Sequence, residues 1–585
     1  MFGLLCRPFR VDAPRGGFRQ RLARPAPAPE PVSDSVLGHL QDWGDGYSSA
    51  QHVLRHLRND LNDDRRLGRP SNAMLRRVVE SGGAGGPNAG GAAAHGLVTM
   101  MEECGFGRMI TPLDNALASH VVLPSALLRC IHERHPQKFT EILGAREADL
   151  GQFWAGMLQD AEWAAHVREH RTLRDFGPAD WRRVVPVTLF EDAGPYTKTH
   201  SCNVLSWGSF FASGGEKVSH FLLASYIKEA GRVPQDILAN LWTPIFRDFD
   251  ALLTTDIGGF FFLPLFAKAD LECRSNSWGL PHYNGDEICT ECMADRAGLP
   301  FTDLRTTARW RGALVGNAAA FLARGRVPLH PLLSSSFFWR GFFPLDLMHI
   351  ADCNGVANII AASVIRPLVQ SCAALGRTQE VRLAEINRRL KDFYDARPGY
   401  CRMAPIRLSN LLNSLGWSTL CGSTIKAANT RALAPFLVKL AEELHADPAS
   451  DYDRLVCLAC RDWDRFYAIL YGGGLFLTDV EQGQLRRILG RLGASLMQLR
   501  EHCRVTGVAA WHLSPKVHMC QHFGAFSGVV NPRRVQNYTE ESSVGTITKV
   551  WAKSANGRYR RTVQRMVLLK RIVALFVRLE TDGRV

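Results

Sequence analysis

Between Arg182 and Asp270 the chain sets out three short apolar runs, a long amphipathic stretch and a fourth apolar run. The runs are RRVVPVTLFED (182–192), SCNVLSWGSFFASG (201–214), KVSHFLLASYIK (217–228) and GFFFLPLFAKAD (259–270). Each has strand length and is bounded by glycine or turn residues. The stretch DILANLWTPIFRDFDALLTTD (236–256) has the apolar period of a helix despite Pro244. The first and last runs both end on an aspartate, Asp192 and Asp270.

Three strands, a helix and a fourth strand form the opening order of the RNase H-like fold. In that fold the first and fourth strands are neighbours, so Asp192 and Asp270 are expected side by side. Pro264 removes a ladder donor, and is expected at a bulge or just ahead of the paired segment. The expected fold is α/β, an RNase H-like core interrupted by a large, mainly helical insertion, with a helical N-terminal region. Residues 1–36 read as a flexible basic tail, and 37–170 as helical around a Gly/Ala linker at 81–95. Residues 171–271 form the first part of the core, 272–345 a Cys/His region, 346–510 the insertion, and 511–585 the core completion with a basic C-terminal helix.

Composition narrows the function classes. Of 585 residues, 46% are apolar and 22% charged, which suits a globular chain of several domains. A net charge of +14 favours a polyanionic partner, although clustering matters more than the total. No apolar run of about 18 residues is uninterrupted; Arg366 and Pro367 break the nearest, at 358–371. No membrane span is therefore expected. The cysteines are too scattered for a secreted disulfide framework, so a reducing compartment fits.

Asp192, Asp270 and Glu541 are the candidate catalytic residues. Three carboxylates on separate elements can hold two Mg²⁺ or Mn²⁺ ions about 3.5–4 Å apart, as phosphoryl transfer on a nucleic-acid backbone requires. Glu540 and Glu541 open one helix, and adjacent helical positions point about 100° apart. Glu541 is expected to be the ligand, with Gly545 leaving room beside it, and Glu540→Gln is expected to be mild. Taken singly, each acid is more simply a turn residue or a helix cap.

Cys289 and Cys292 have the C-x2-C spacing of a zinc site, for which His282 and His349 are the candidate third ligands. Asp346 and His349 form a D-x-x-H that one helical turn would place on one side; an Asp346 N-cap is the plainer reading. His518 is expected in the core or orienting the site. The C-terminal stretch carries Lys549, Lys553, Arg558, Arg560, Arg561 and Arg565 beside an apolar side. It is a candidate phosphate-binding face, or else a solvated one.

From about Trp181 to Trp551 these motifs together resemble the catalytic region of CACTA (En/Spm-type) DDE transposases. In that family a first aspartate ends an early strand, and a second precedes a C-x2-C. A D-x-M-H piece and a helical insertion follow, then a glutamate four residues before a glycine, after a histidine-rich helix. DLMH at 346–349, and PKVHMCQH followed by Glu541 and Gly545, have that form. Ala269 stands where the family has glycine, and Thr539-Glu540 where it has an aromatic residue. The resemblance implies cleavage and joining of DNA strands at transposon ends, with Asp192, Asp270 and Glu541 holding Mg²⁺ or Mn²⁺, and zinc as a further candidate. DNA and further copies of the chain are the expected partners, in the nucleus. The alternatives are a domesticated, catalytically silent DNA-binding protein on the same scaffold, and a zinc-containing interaction protein with chance acids.

Overall fold

The computed structural model describes residues 34–46, 48–66, 98, 101, 105–212, 216–228, 233–325, 329–445, 447, 449–526, 530–555 and 560–581. The basic tail at 1–33 and the Gly/Ala linker at 81–95 lie outside them. The protein is a mostly helical α/β structure. Its principal sheet has four strands in the order β5-β4-β3-β6. These are β3 (Val184–Pro195), β4 (Ser201–Ser209), β5 (Phe221–Ile227) and β6 (Phe261–Lys268). Strands β3, β4 and β5 form an antiparallel meander, and β6 joins β3 in parallel. Between β5 and β6 runs helix Gln235–Leu252, whose buried face carries Leu238, Leu241, Trp242, Ile245 and Phe249. A parallel neighbour needs such a crossover, because a hairpin cannot reverse the chain twice.

Pro264 sits at a break in the β3–β6 ladder. Val187 pairs with Pro264 but Thr188 pairs with Phe266, so Leu265 is the extra residue of a bulge. The Leu265 carbonyl accepts from the Trp339 indole N–H at 2.9 Å. The open side of β6 is covered by the same segment, where Ala267 N–H donates to the Phe342 carbonyl at 2.7 Å. That cover removes an exposed sheet edge.

Two further elements lie outside the expected pattern. Residues 37–170 are not purely helical: β1 (Ile110–Pro112) and β2 (His120–Val122) make a two-stranded ribbon. Pro124 and Pro136 each open a helix, Pro124–Arg134 and Pro136–Leu143, where a missing N–H costs nothing. The apolar interior divides into two cores. One joins the sheet to the N-terminal helices and the C-terminal segment. The other holds the inserted helices Val356–Ser371, Gln379–Asp395, Ala434–Leu444, Asp451–Gly472 and Asp479–Val505. This second core also takes in Cys289, Cys292, Trp310 and Val517–Phe523, so the helical body reaches past residue 510. The apolar stretch Met348–Ser371 is long enough to cross a membrane by composition, but 83% of its apolar window is buried inside the protein.

The basic C-terminal segment spans the end of helix Tyr538–Ser554 and the whole of a second helix, and the second is largely buried. Helix Arg560–Thr581 is buried on nearly every side, through Val563, Val567, Leu568, Ile572, Phe576 and Leu579. Its buried face is broad enough to take in Gln564, Lys570, Arg571 and Arg578 as well, so the helix belongs to the core. Its later cations are spent internally: Arg571 Nη1 lies 2.9 Å from Asp45, and Arg578 pairs with the other oxygen of the same carboxylate. Of the expected phosphate contacts, Lys549, Lys553 and Arg561 are exposed, whereas Arg560 and Arg565 are partly buried. Arg558 lies outside the described residues.

Candidate functional site

The close approach of one helix to one strand builds the site. Helix Tyr538–Ser554 crosses β3 at Gly194, where an added Cβ would lie 2.7 Å from Thr548 Cγ2 and 2.8 Å from Val544 Cγ1. Only glycine allows that contact. Glu541, Val544 and Thr548 share one helix face, at i, i+3 and i+7. The face that presses on Gly194 therefore carries Glu541 to Asp192, two residues earlier on the strand. The two carboxyl groups interact: Glu541 raises the proton affinity of Asp192, and Asp192 lowers that of Glu541.

Asp270 completes the set from the neighbouring strand. It follows β6 and caps helix Leu271–Asn276, accepting from Cys273 N–H at 2.6 Å. Asp192 and Asp270 line the same cleft of about 120 Å³, with Glu191, Lys228 and Glu272. Asp270 also raises the proton affinity of both Asp192 and Glu541. The structure thus brings Asp192, Asp270 and Glu541 together.

Asp346 and His349 face the same cluster. Met348–Asp352 is a π-helical turn, and just ahead of it the Asp346 carboxylate accepts from Met348 N–H at 3.0 Å. Its other oxygen holds His349 Nδ1, and His349 Nε2 lies 3.7 Å from Glu541 Oε1. Asp346 thus holds the histidine, while the cap position of the turn falls to Leu347. Asp346 also accepts from Asn537 N–H at 3.2 Å, just ahead of the Glu541 helix. Lys516 sits nearby, half-buried, with its ammonium 2.8 Å from the Cys353 carbonyl. Below the turn, the buried Asp352 accepts from Tyr467 and, at 2.7 Å, from Tyr538 on the Glu541 helix. Neither Asp352 nor Lys516 was singled out from the sequence, since no spacing marks them.

Glu540 points the other way. It pairs with Lys268 at the end of β6 and lies 3.5 Å from His220 Nε2. Burial alone would raise its proton affinity, but Lys268 and His220 outweigh it and hold the carboxyl at about 2. It is a buried, ionised structural group.

The other acids have the opposite electrostatics. Burial raises the Asp192 carboxyl well above its ordinary range, and the nearby Glu541 and Asp270 add to it. Burial first, then Asp346 and Asp270, pushes Glu541 up to about 7. Burial and repulsion by the neighbouring acids thus bias both carboxyls toward their protonated forms. Glu541 Oε1 is buried and accepts no hydrogen bond. Clustered carboxylates with an unfilled oxygen are a donor set for hard divalent cations. Because these folded-state pKa values are raised, their favourable term is present below the unfolded value near 4 and is lost as pH rises through about 7. The metal-free protein should lose thermal stability from pH 5 to pH 8, and millimolar Mg²⁺ should restore much of it at pH 8 but little at pH 5. Burial also raises Asp352, to about 7, so it contributes to the same trend; the Mg²⁺-dependent difference isolates the site. Melting curves with equal Mg²⁺ shifts at both pH values would contradict this.

A second donor cluster lies in the insertion core. The ligating atoms of Cys289, Cys292, His518 and His522 are buried and lie within 4.8 Å of one another. Cys292 Sγ is 3.3 Å from His518 Nε2, and His522 Nε2 is 3.2 Å from His518 Nε2. A tetrahedron with bonds of about 2.0–2.3 Å has edges of about 3.3–3.8 Å. Glu291 N–H and Ala294 N–H each donate to a cysteine sulfur at 3.4 Å, as a thiolate-holding turn does. Burial raises the Cys289 thiol and lowers the His518 imidazole, so the cluster is built for neutral donors or for a cation among them. The indole of Trp310 stands edge-on against both histidines.

The partners of the C-x2-C are thus His518 and His522, not His282 or His349. His282 stacks on Tyr283 and accepts from Asn284 N–H, while His349 is held in the carboxylate cluster. Residues far apart in sequence meet here, so spacing to the nearest histidine misled. The signal was present in H-M-C-Q-H, whose i, i+4 histidines share a helix face. No family model matches the chain, and no curated protein matches it.

Proposed function

We propose that the chain is a transposase-like protein of the CACTA type, with an RNase H-like core. It would cleave and join DNA strands by two-metal phosphoryl transfer. The observation that carries the reading is the convergence of Asp192, Asp270 and Glu541 from β3, the end of β6 and the helix that crosses Gly194. A sheet ordered β5-β4-β3-β6, with β6 parallel to β3, is consistent with that core.

In this reading Asp192, Asp270 and Glu541 would hold Mg²⁺ or Mn²⁺, and the chemistry such ions would supply is activation of an attacking oxygen and stabilisation of a leaving one. Because burial favours their protonated forms, Asp192 and Glu541 would have to lose protons to ligate a cation. Asp346 fixes the His349 ring, which holds Glu541 in place through Nε2. Asp352 ties the turn bearing His349 to the helix bearing Glu541, through Tyr538. Zinc at Cys289, Cys292, His518 and His522 would join the Cys/His region to the helix just before the Glu541 segment. The exposed Lys553 and Arg561 would be candidate contacts for the DNA backbone.

The test is strand cleavage of plasmid and short duplex DNA by the purified full chain. Nicking that needs Mg²⁺ or Mn²⁺, is absent with Ca²⁺ or EDTA, and is lost in Asp192→Asn is the expected result. DNA binding without cleavage under any divalent metal would overturn the enzymatic reading. It would leave a DNA-binding scaffold.

A further inference from the structure

Far along the chain from both clusters, the N-terminal helices Asp34–Gly44 and Ala50–Arg66 form a hairpin. Leu40 and Trp43 on the first helix and Val53, Leu54 and Leu57 on the second are buried. The turn between them is fixed to the body of the protein: Asp45 receives Arg571 and Arg578. Gly44 lies so close to the C-terminal helix that an added Cβ would be 2.8 Å from the Lys570 carbonyl. This anchorage holds the two helices in register with each other.

Three histidines meet beside that buried face. His52 and His56 are separated by one helical turn, so both project from one side of the second helix. His39 comes from the first helix. The His39 and His56 rings stack with centroids 4.1 Å apart, and His52 and His56 are 4.4 Å apart. One ring nitrogen from each lies within 4.8 Å of the others. The rings are partly open to solvent and contribute little to the core. An i, i+4 histidine pair on a helix is a chelating arrangement, and a third imidazole from a facing element completes three ligands.

We propose that His39, His52 and His56 form a surface metal site for a borderline divalent cation of the zinc class, with water at the fourth position. Imidazole donors favour such ions over Mg²⁺ or Ca²⁺. Closing nitrogens from their present spacing to the edge of about 3.3 Å that zinc needs is a matter of side-chain rotation, because the helices are already fixed. The bound ion would clamp the two helices to each other close to the anchored turn, His52 being the third residue of the second helix.

One contact gives the site a specific signature. Arg55 Nη2 donates to His52 Nδ1 at 2.9 Å. An arginine is always a donor, so in the neutral ring Nδ1 is the acceptor and Nε2 carries the proton. A metal must therefore end this bond. Either Nδ1 becomes the ligand, or the proton moves to Nδ1 and Nε2 binds. Both routes expel Arg55, which is exposed and can swing away. Arg55 thus competes with the metal, and adds like charge beside it.

The experiment uses the full chain and Zn²⁺ as the probe. Calorimetric titration of wild type should show one more zinc equivalent than a His52→Asn/His56→Asn double variant. That difference should persist in protein whose buried Cys289, Cys292, His518 and His522 cluster has first been saturated with zinc, which separates this site from the buried one. Arg55→Ala should bind the additional zinc about tenfold more tightly. Hydrogen exchange supplies the structural readout: zinc should protect amides of 34–66 in wild type and not in the double variant. Equal zinc stoichiometry in the two proteins, or unchanged exchange across the hairpin with zinc bound, would overturn the proposal. Since His52 and His56 are partly exposed, the variants should fold as wild type does, and unchanged circular dichroism checks this.

Discussion

Glu541→Gln should abolish Mg²⁺-dependent DNA cleavage while leaving the fold as stable as wild type, or more so at pH 8. The side chain keeps its size and can still hydrogen-bond, but its charge is gone. In the metal-free protein that charge is a liability, since burial and the neighbouring acids push Glu541 up to about 7. In the metal-bound protein it is a ligand. Removing it should cost several orders of magnitude in rate and most of the Mg²⁺-induced rise in melting temperature. Glu540→Gln should behave in the reverse way. From sequence alone this substitution is expected to be mild, because Glu540 is not the ligand. The structure makes it severe for a different reason: it strands Lys268, which is buried and paired with Glu540. Breaking a buried ion pair on one side costs about 3–5 kcal/mol. Protein that does fold should still bind Mg²⁺ and show residual cleavage. Adjacent glutamates would then separate stability from chemistry. Thermal melts and single-turnover cleavage on both variants measure this. A stable but inactive Glu540→Gln beside an active Glu541→Gln would place the site one residue away.

The second large effect concerns zinc. Cys292→Ser, or His518→Asn, should release zinc from the insertion core and lower the melting temperature by tens of degrees. Structural zinc binding is worth about 10–16 kcal/mol in small zinc-dependent domains, and much of that is folding free energy. The four donors tie the loop at 289–292 to the helix Pro515–Gln521, so their loss should loosen both ends of the insertion. His282→Asn and His349→Asn should retain full zinc. Elemental analysis after exhaustive dialysis distinguishes the cases. Full zinc content in Cys292→Ser, or zinc loss in His282→Asn, would refute the assignment of ligands.

What could be read from the sequence depended on whether the signal was local. Four apolar runs between glycines and turn residues gave strands within a few residues of their bounds. Each run had to bury its side chains, and nothing in it favours a helix. Even the expected bulge at Pro264 follows from one missing N–H. Helix geometry required that only one of Glu540 and Glu541 face the aspartates, and the resemblance, with Gly545 four residues on, selected Glu541. Long-range partners were not legible. No spacing relates Cys292 to His518, because the inserted helices decide how that loop closes. The basic C-terminal stretch misled for another reason. Its cations were counted, but Leu568, Ile572, Leu575 and Phe576 make the helix apolar on the remaining sides as well. A buried aspartate, Asp45, then neutralises two of the arginines. The ribbon Ile110–Pro112 with His120–Val122 is simply too short to leave a period in the sequence.

The most direct test of the central claim is an anomalous-scattering diffraction experiment on crystals of the full chain soaked in Mn²⁺ at pH 8. The account predicts two manganese peaks about 3.5–4 Å apart, between the carboxylates of Asp192, Asp270 and Glu541, and none in crystals of Glu541→Gln. Wild-type crystals without manganese among those three carboxylates, or with the ion bound at Glu540 instead, would contradict it.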